Sequence, residues 1–151
     1  MTWDTAIKAI KASSPDARVY IGCDSYRYKK RGKPGWRARY SVVVVLHHPR
    51  DGCNIFYNSE VREDYGDLMK RLLTEVELAV NAATEIVDHL GGRNLEIHLD
   101  INESPKHKSH IAVQAARGWV RGMFGFDPKL KPDSWAGTHV SDHYAREKHK
   151  L

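Results

Sequence analysis

Two carboxylates in this chain stand at the ends of apolar runs. Residues 18–27 read Arg-Val-Tyr-Ile-Gly-Cys-Asp-Ser-Tyr-Arg, an apolar stretch closed by Asp24. Residues 94–101 alternate Leu95, Ile97, Leu99 and Ile101 against Glu96, His98 and Asp100. Both read as strands, and an acid at a strand's C-terminal end stands where open α/β sheets bind their ligands. If the two strands lie parallel and adjacent, Asp24 and Asp100 emerge side by side. Paired carboxylates repel each other, and a bound divalent cation is the usual relief. An all-oxygen site of this kind suits magnesium or manganese.

Other groups converge on the same reading. Residues 64–90 carry Leu68, Met69, Leu72, Leu73, Val76, Ala79, Val80, Ala83, Ile86 and Val87 as one helical stripe. Glu75 and Glu77 flank that stripe on opposite sides, so only one can look into a site on the sheet. Glu75, with Val76, Ala79, Ala83 and Ile86 at anchoring offsets, is the choice over Glu77. The last segment supplies Asp142, preceded by His139 and followed by His143. His139 and His143 are one helical turn apart and would suit zinc, but no HExxH pattern accompanies them, and surface histidines explain them as well. Taken singly, each acid also has a plain explanation as a turn, loop or helix-start residue. Their joint placement is what points to chemistry.

Positive charge gathers in one place. Lys29, Lys30, Arg31, Lys33, Arg37 and Arg39 fall in and just after one expected loop, and the chain carries a formal net charge of +5. The cluster suits a nucleic-acid partner, although solvated loops are often basic without binding anything. Tyr26, Trp36 and Tyr40 nearby would stack bases or pack the sheet.

The elements that must hold these residues follow from periodicity. Residues 2–11 make a short amphipathic helix with Thr2 or Asp4 as its cap. Residues 18–27, 36–47 and 54–61 make three strands able to form an antiparallel meander, joined by a loop at 28–35 and a turn at Pro49-Arg50-Asp51-Gly52. The long helix ends at Gly91-Gly92 and leads to the strand at 94–101, for which a helical crossover favours parallel pairing with the first. Ser109 caps a further helix, a short extended piece follows at 130–135, and residues 139–150 form a last helix. The result is one α/β domain over residues 1–151.

At 151 residues the chain suits one domain with a proper core. No apolar run reaches ~18 residues, and the N-terminus lacks a secretory pattern. Cys23 and Cys53 have no metal-ligand spacing and suggest a reducing cytosol, hence a cytoplasmic protein.

This order of elements, with Asp24, Glu75, Asp100 and Asp142 at its corners, resembles the ribonuclease H-like superfamily over nearly the whole chain. More narrowly, Gly22-Cys23-Asp24-Ser25, Glu75-Val76-Glu77, Lys131-Pro132-Asp133-Ser134-Trp135-Ala136 and Thr138-His139-Val140-Ser141-Asp142-His143 look like its YkuK-like branch. The resemblance implies a mixed five-stranded sheet, three antiparallel strands followed by two parallel-type strands, flanked by helices. It also implies that Asp24 and Asp100 are central metal ligands, with Glu75 and Asp142 completing a two-ion magnesium or manganese site. The reaction would be phosphodiester cleavage in RNA or DNA, with His139 or His143 assisting proton transfer or product release. One departure is Tyr26, which stands where a proofreading-type exonuclease carries a second acid. The rival expectation is a module of the same fold that binds nucleic acid or protein without cleaving.

Overall fold

The computed structural model describes residues 1–136. The expected last helix, with His139, Asp142 and His143, lies outside the described residues. The elements run α1 (Asp4–Ala12), β1 (Arg18–Lys29), β2 (Trp36–His48), β3 (Gly52–Asp64), α2 (Leu68–Ile86), β4 (Asn94–Asn102), α3 (Val113–Phe124) and β5 (Lys129–Lys131), with single 3-10 turns at Val87–His89 and Lys108–Ala112. The strands form one sheet in the order β3-β2-β1-β4-β5. Pairing is antiparallel among β1, β2 and β3, and parallel from β1 to β4 and from β4 to β5. This is the expected mixed α/β sheet.

Strand pleating sorts the side chains. On one face Val19, Ile21, Cys23, Val42, Val44, Leu46, Ile97, Leu99 and Ile101 join Ile10, Val76, Ala79, Ala83, Ile86, Ala116 and Val120 of the helices in a single buried core. Each aliphatic side chain fully withdrawn from water there contributes roughly 1.5–3 kcal/mol. The opposite face carries Tyr20, Val43, Val45 and Tyr57, with Ala136 buried against them.

Several boundaries differ from the sequence reading, each for a reason outside the local pattern. The first strand does not end at Asp24. It runs on to Lys29 because β2 supplies antiparallel partners as far as Lys29↔Trp36. The basic loop therefore shrinks to residues 30–35, where Gly32 and Gly35 take positive φ. The third strand is longer than expected, running Gly52–Asp64, and Cys53 lies exposed near its start. The long helix starts later, capped by the Asp67 side chain, which accepts from the Lys70 N–H at 3.1 Å. Neither Thr2 nor Asp4 caps α1. Its first residue follows Trp3, which makes no side-chain cap bond. Nor does Ser109 cap α3, because its hydroxyl accepts from the Asn102 N–H at 2.9 Å and a 3-10 turn intervenes.

The chain leaving β5 is fastened to the second face by His98. Its Nδ1 accepts from the backbone N–H groups of Trp135 (3.1 Å) and Ala136 (3.3 Å). The ring proton must then sit on Nε2, which points to Glu96 at 3.4 Å. Burial lowers the pKa of His98, in keeping with a neutral ring. Tyr20 and Trp135 pack on the same imidazole, with centroids 5.4 and 5.0 Å away. Replacing His98 by Leu removes the acceptor while keeping apolar bulk. The expected loss is roughly 2 kcal/mol in urea unfolding, for backbone donors left without a partner. A change within error would show that the two bonds carry no weight.

Candidate active site

Parallel pairing of β1 with β4 stops at Cys23↔Leu99, although β1 continues along β2 for six more residues, Asp24 to Lys29. The sheet splits there, and Asp24 and Asp100 are the next residues on the two diverging strands. A second irregularity sharpens the split. Between His98 and Asn102 the β4 strand advances four residues while β5 advances two, from Lys129 to Lys131. Asp100 sits inside that bulged stretch, and bulges commonly re-aim a side chain.

By pleating, Asp24 and Asp100 belong to the Tyr20 and His98 side of the sheet, whereas Ser25 faces α2. Where the sheet is intact these sides cannot meet. At the split they line one cavity of about 400 Å³ together with Glu75. Glu75 reaches it from the buried stripe of α2 and is itself only 4% exposed. Glu77, the rejected alternative, turns away and pairs with Arg62 at 3.3 Å.

Short bonds hold the acids in place. The Ser25 hydroxyl donates to Glu75 Oε2 at 2.6 Å, and the Ser25 N–H donates to Asp24 Oδ1 at 2.8 Å. One serine thus ties the strand acid to the helix acid. Burial pushes the Glu75 carboxyl up to about 8, the Asp100 charge adds to that, and the Ser25 bond with the Arg71 and Lys131 charges opposes it. Burial also raises the neighbouring Cys23 thiol well above its ordinary value, with Glu75 and Asp24 contributing.

Four participants were not picked out as site residues from sequence. Ser25 was visible only as the residue after an acid. Arg71, Lys108 and Lys131 line the cavity, and Lys131 forms an ion pair with Asp100. Burial works against the charge of Lys131, but the bond to Asp100 and the charges of Asp100, Asp24 and Glu75 prevail, so its pKa is raised. Arg71 had a usable signal, since it lies one helical turn before Glu75 on the same face. Lys131 opens one of the motifs that carry the YkuK-like resemblance, but its pairing with Asp100 had no local signal, because the two are distant in sequence.

The basic cluster divides in two. Lys29, Lys30, Arg31 and Lys33 are exposed at the tip of the β1–β2 hairpin. Lys29 lies five residues beyond Asp24, roughly 17 Å along an extended strand. Arg37 and Arg39 sit back on β2, half-buried, near Glu63 and Ser59 respectively. Of the aromatic candidates, Tyr40 is buried core, its phenol pushed up to about 12 by burial. Trp36 remains 43% exposed, with the Arg27 guanidinium 4.6 Å from its ring.

Among the described residues, no three His, Cys, Asp or Glu side chains are gathered closely enough to hold a metal ion. The donor chemistry nevertheless fits a hard cation: three carboxylates from three elements line one cavity, and an ammonium already occupies Asp100. The expected fourth acid, Asp142, and His139 lie outside the described residues.

The raised Glu75 pKa sets a pH dependence. The folded protein binds the Glu75 proton more tightly than the unfolded chain does, so this group's contribution is fully present below about pH 4.5 and is lost as pH rises through about 8. Glu75→Gln keeps an acceptor for Ser25 without the charge. In EDTA, its melting temperature should equal the wild type near pH 4.5 and exceed it by roughly 5 °C at pH 9. A pH-independent difference would contradict a buried, proton-holding Glu75.

Comparison with known proteins agrees with this fold. The family model for ribonuclease H-like proteins matches residues 3–146, nearly the full length. Neither the curated proteins nor the solved structures returned a match. The YkuK-like resemblance is consistent with the family model. Fold, sheet order and the placement of Asp24, Glu75 and Asp100 around one split in the sheet thus accompany a match that spans the chain, which belongs to the ribonuclease H-like family.

Proposed function

We propose that the protein is a divalent-metal-dependent nuclease that hydrolyses phosphodiester bonds of RNA or DNA at the Asp24, Glu75 and Asp100 cavity. The observation that carries this reading is the convergence of those three acids, from β1, α2 and β4, on one cavity that also holds Arg71 and Lys108. Magnesium or manganese, as two ions held by Asp24, Glu75, Asp100 and Asp142, would supply Lewis acidity and lower the pKa of a bound water. The protein's own residues do the rest. Ser25 fixes the spacing of Asp24 and Glu75, and Arg71 and Lys108 offer positive charge to a phosphate. The exposed cations of the hairpin tip extend the positive surface along a polyanion. His139 serves proton transfer or product release.

A second reading, a module of the same fold that binds nucleic acid without cleaving it, has one observation in its favour. Lys131 occupies Asp100, the acid a metal would need.

Manganese titration followed by melting temperature separates the two. Wild type should gain several degrees, and Asp24→Asn and Asp100→Asn should not. Incubation with single-stranded RNA, RNA–DNA hybrid, duplex DNA and branched DNA in manganese then names the substrate. Asp100→Asn should lose at least roughly 100-fold in cleavage rate. No cleavage of any polymer would favour the binding module, and equal cleavage by that variant would overturn catalysis at this cavity.

Binding by the hairpin is tested separately. Changing Lys29, Lys30, Arg31 and Lys33 together to Ser should weaken oligonucleotide binding. It should also flatten the plot of log affinity against log salt by about 0.7 for each single-strand phosphate that the variant no longer neutralises. An unchanged slope would place the nucleic acid elsewhere.

A further inference from the structure

Among the described residues, Lys131 differs from the cations of the exposed two-member ion pairs. Arg121 with Asp127 and Arg117 with Glu103 are two-member pairs on the surface. Lys131 instead meets Asp100 inside a cavity that Asp24 and Glu75 also line. All three carboxylates act on its charge. Its backbone is held in register on the edge of β4, opposite Asn102, at the far end of the irregular stretch that contains Asp100. The ammonium is therefore delivered to the acids by the sheet itself. It is also within reach of solvent, with 36% of the Lys131 side chain and 21% of the Asp100 side chain exposed. A pair so placed can be opened by a competing cation without unpacking the core.

From this placement we infer that Lys131 is a placeholder cation. In the metal-free protein it neutralises Asp100 and relieves the repulsion among Asp24, Glu75 and Asp100. A divalent cation binds by displacing it. The inference rests on the metal-centre reading above and deepens it, since it makes metal binding an exchange of one cation for another. It also explains why no three acids are gathered closely enough for a metal among the described residues. Asp100 is turned to the ammonium, and the ligand set is completed only when that bond opens. The lysine itself stays charged throughout. The carboxylate trades one positive partner for another.

Two signatures distinguish a placeholder from a merely structural lysine. Lys131→Met keeps the length of the side chain and removes the charge. In EDTA it should melt below wild type, because Asp100 is deprived of its ammonium partner. In saturating manganese the deficit should vanish or reverse. By isothermal titration, Lys131→Met should bind manganese about fivefold more tightly than wild type, the gain expected from removing a competing ion pair worth about 1 kcal/mol. Lys131→Arg, which restores a cation at the same register, should return the affinity towards wild type. Manganese binding by wild type with equal or weaker binding by Lys131→Met would overturn the placeholder role and leave the metal centre standing. Absence of binding in wild type and in both variants would overturn the metal centre itself, and the placeholder with it. Binding by Lys131→Met alone would support the exchange in its strongest form.

Discussion

The parallel ladder between β1 and β4 stops at Cys23 and Leu99, and the acid cavity exists because it stops there. In an unbroken sheet, alternate side chains are separated by the sheet's own thickness, and Asp24 could not share a space with a helix acid from the other side. Once the two strands part, the split is open to both faces. Asp24 and Asp100 enter from one, Ser25 and Glu75 from the other. The length of β1 has the same origin. Antiparallel pairing with β2 continues after the parallel partner is gone, so the strand that carries Asp24 also carries the basic tip beyond it.

Electrostatics then governs what the cavity is like. Three carboxylates sharing one partly buried space cannot all be ionised cheaply, and two kinds of relief are visible. Glu75, the most buried, holds its proton up to about pH 8. Asp100, at the more exposed side, is met by an ammonium. A bound cation would replace both forms of relief, because it favours the ionised acid and competes with the lysine. The serine between the acids works differently. Its two donors fix relative position, and its hydroxyl favours the charged form of Glu75.

The second face of the sheet shows a related economy of residues. His98 lies two positions before Asp100 on the same side of β4. It uses one ring nitrogen to hold the backbone of Trp135 and Ala136 and keeps its proton on the other. The strand that presents an acid to the cavity thus also anchors the chain returning across the sheet. Because imidazole, Tyr20 and Trp135 pack together, polar anchoring and aromatic burial fall at one point.

Much of this was legible in the sequence, and the division between what was and what was not has a physical cause. Alternation in residues 18–24 and 94–101 determined which side chains share a face, and a helical crossover implied parallel strands. Asp24 and Asp100 could therefore be paired from the chain alone. Helical offsets around Val76 and Ala79 likewise favoured Glu75 over Glu77. Periodicity describes neighbours along one element and carries no information about partners brought together by folding. It could not show that β1 outlasts its parallel partner, because the length of β2 decides that. Nor could it show that Ser109 serves the Asn102 backbone in place of capping a helix, that His98 holds Trp135, or that Lys131 reaches Asp100. The acids were specified locally by their positions on strands and a helix. Their counter-charges, tethers and protonation are long-range contacts, and only the tertiary structure decided them.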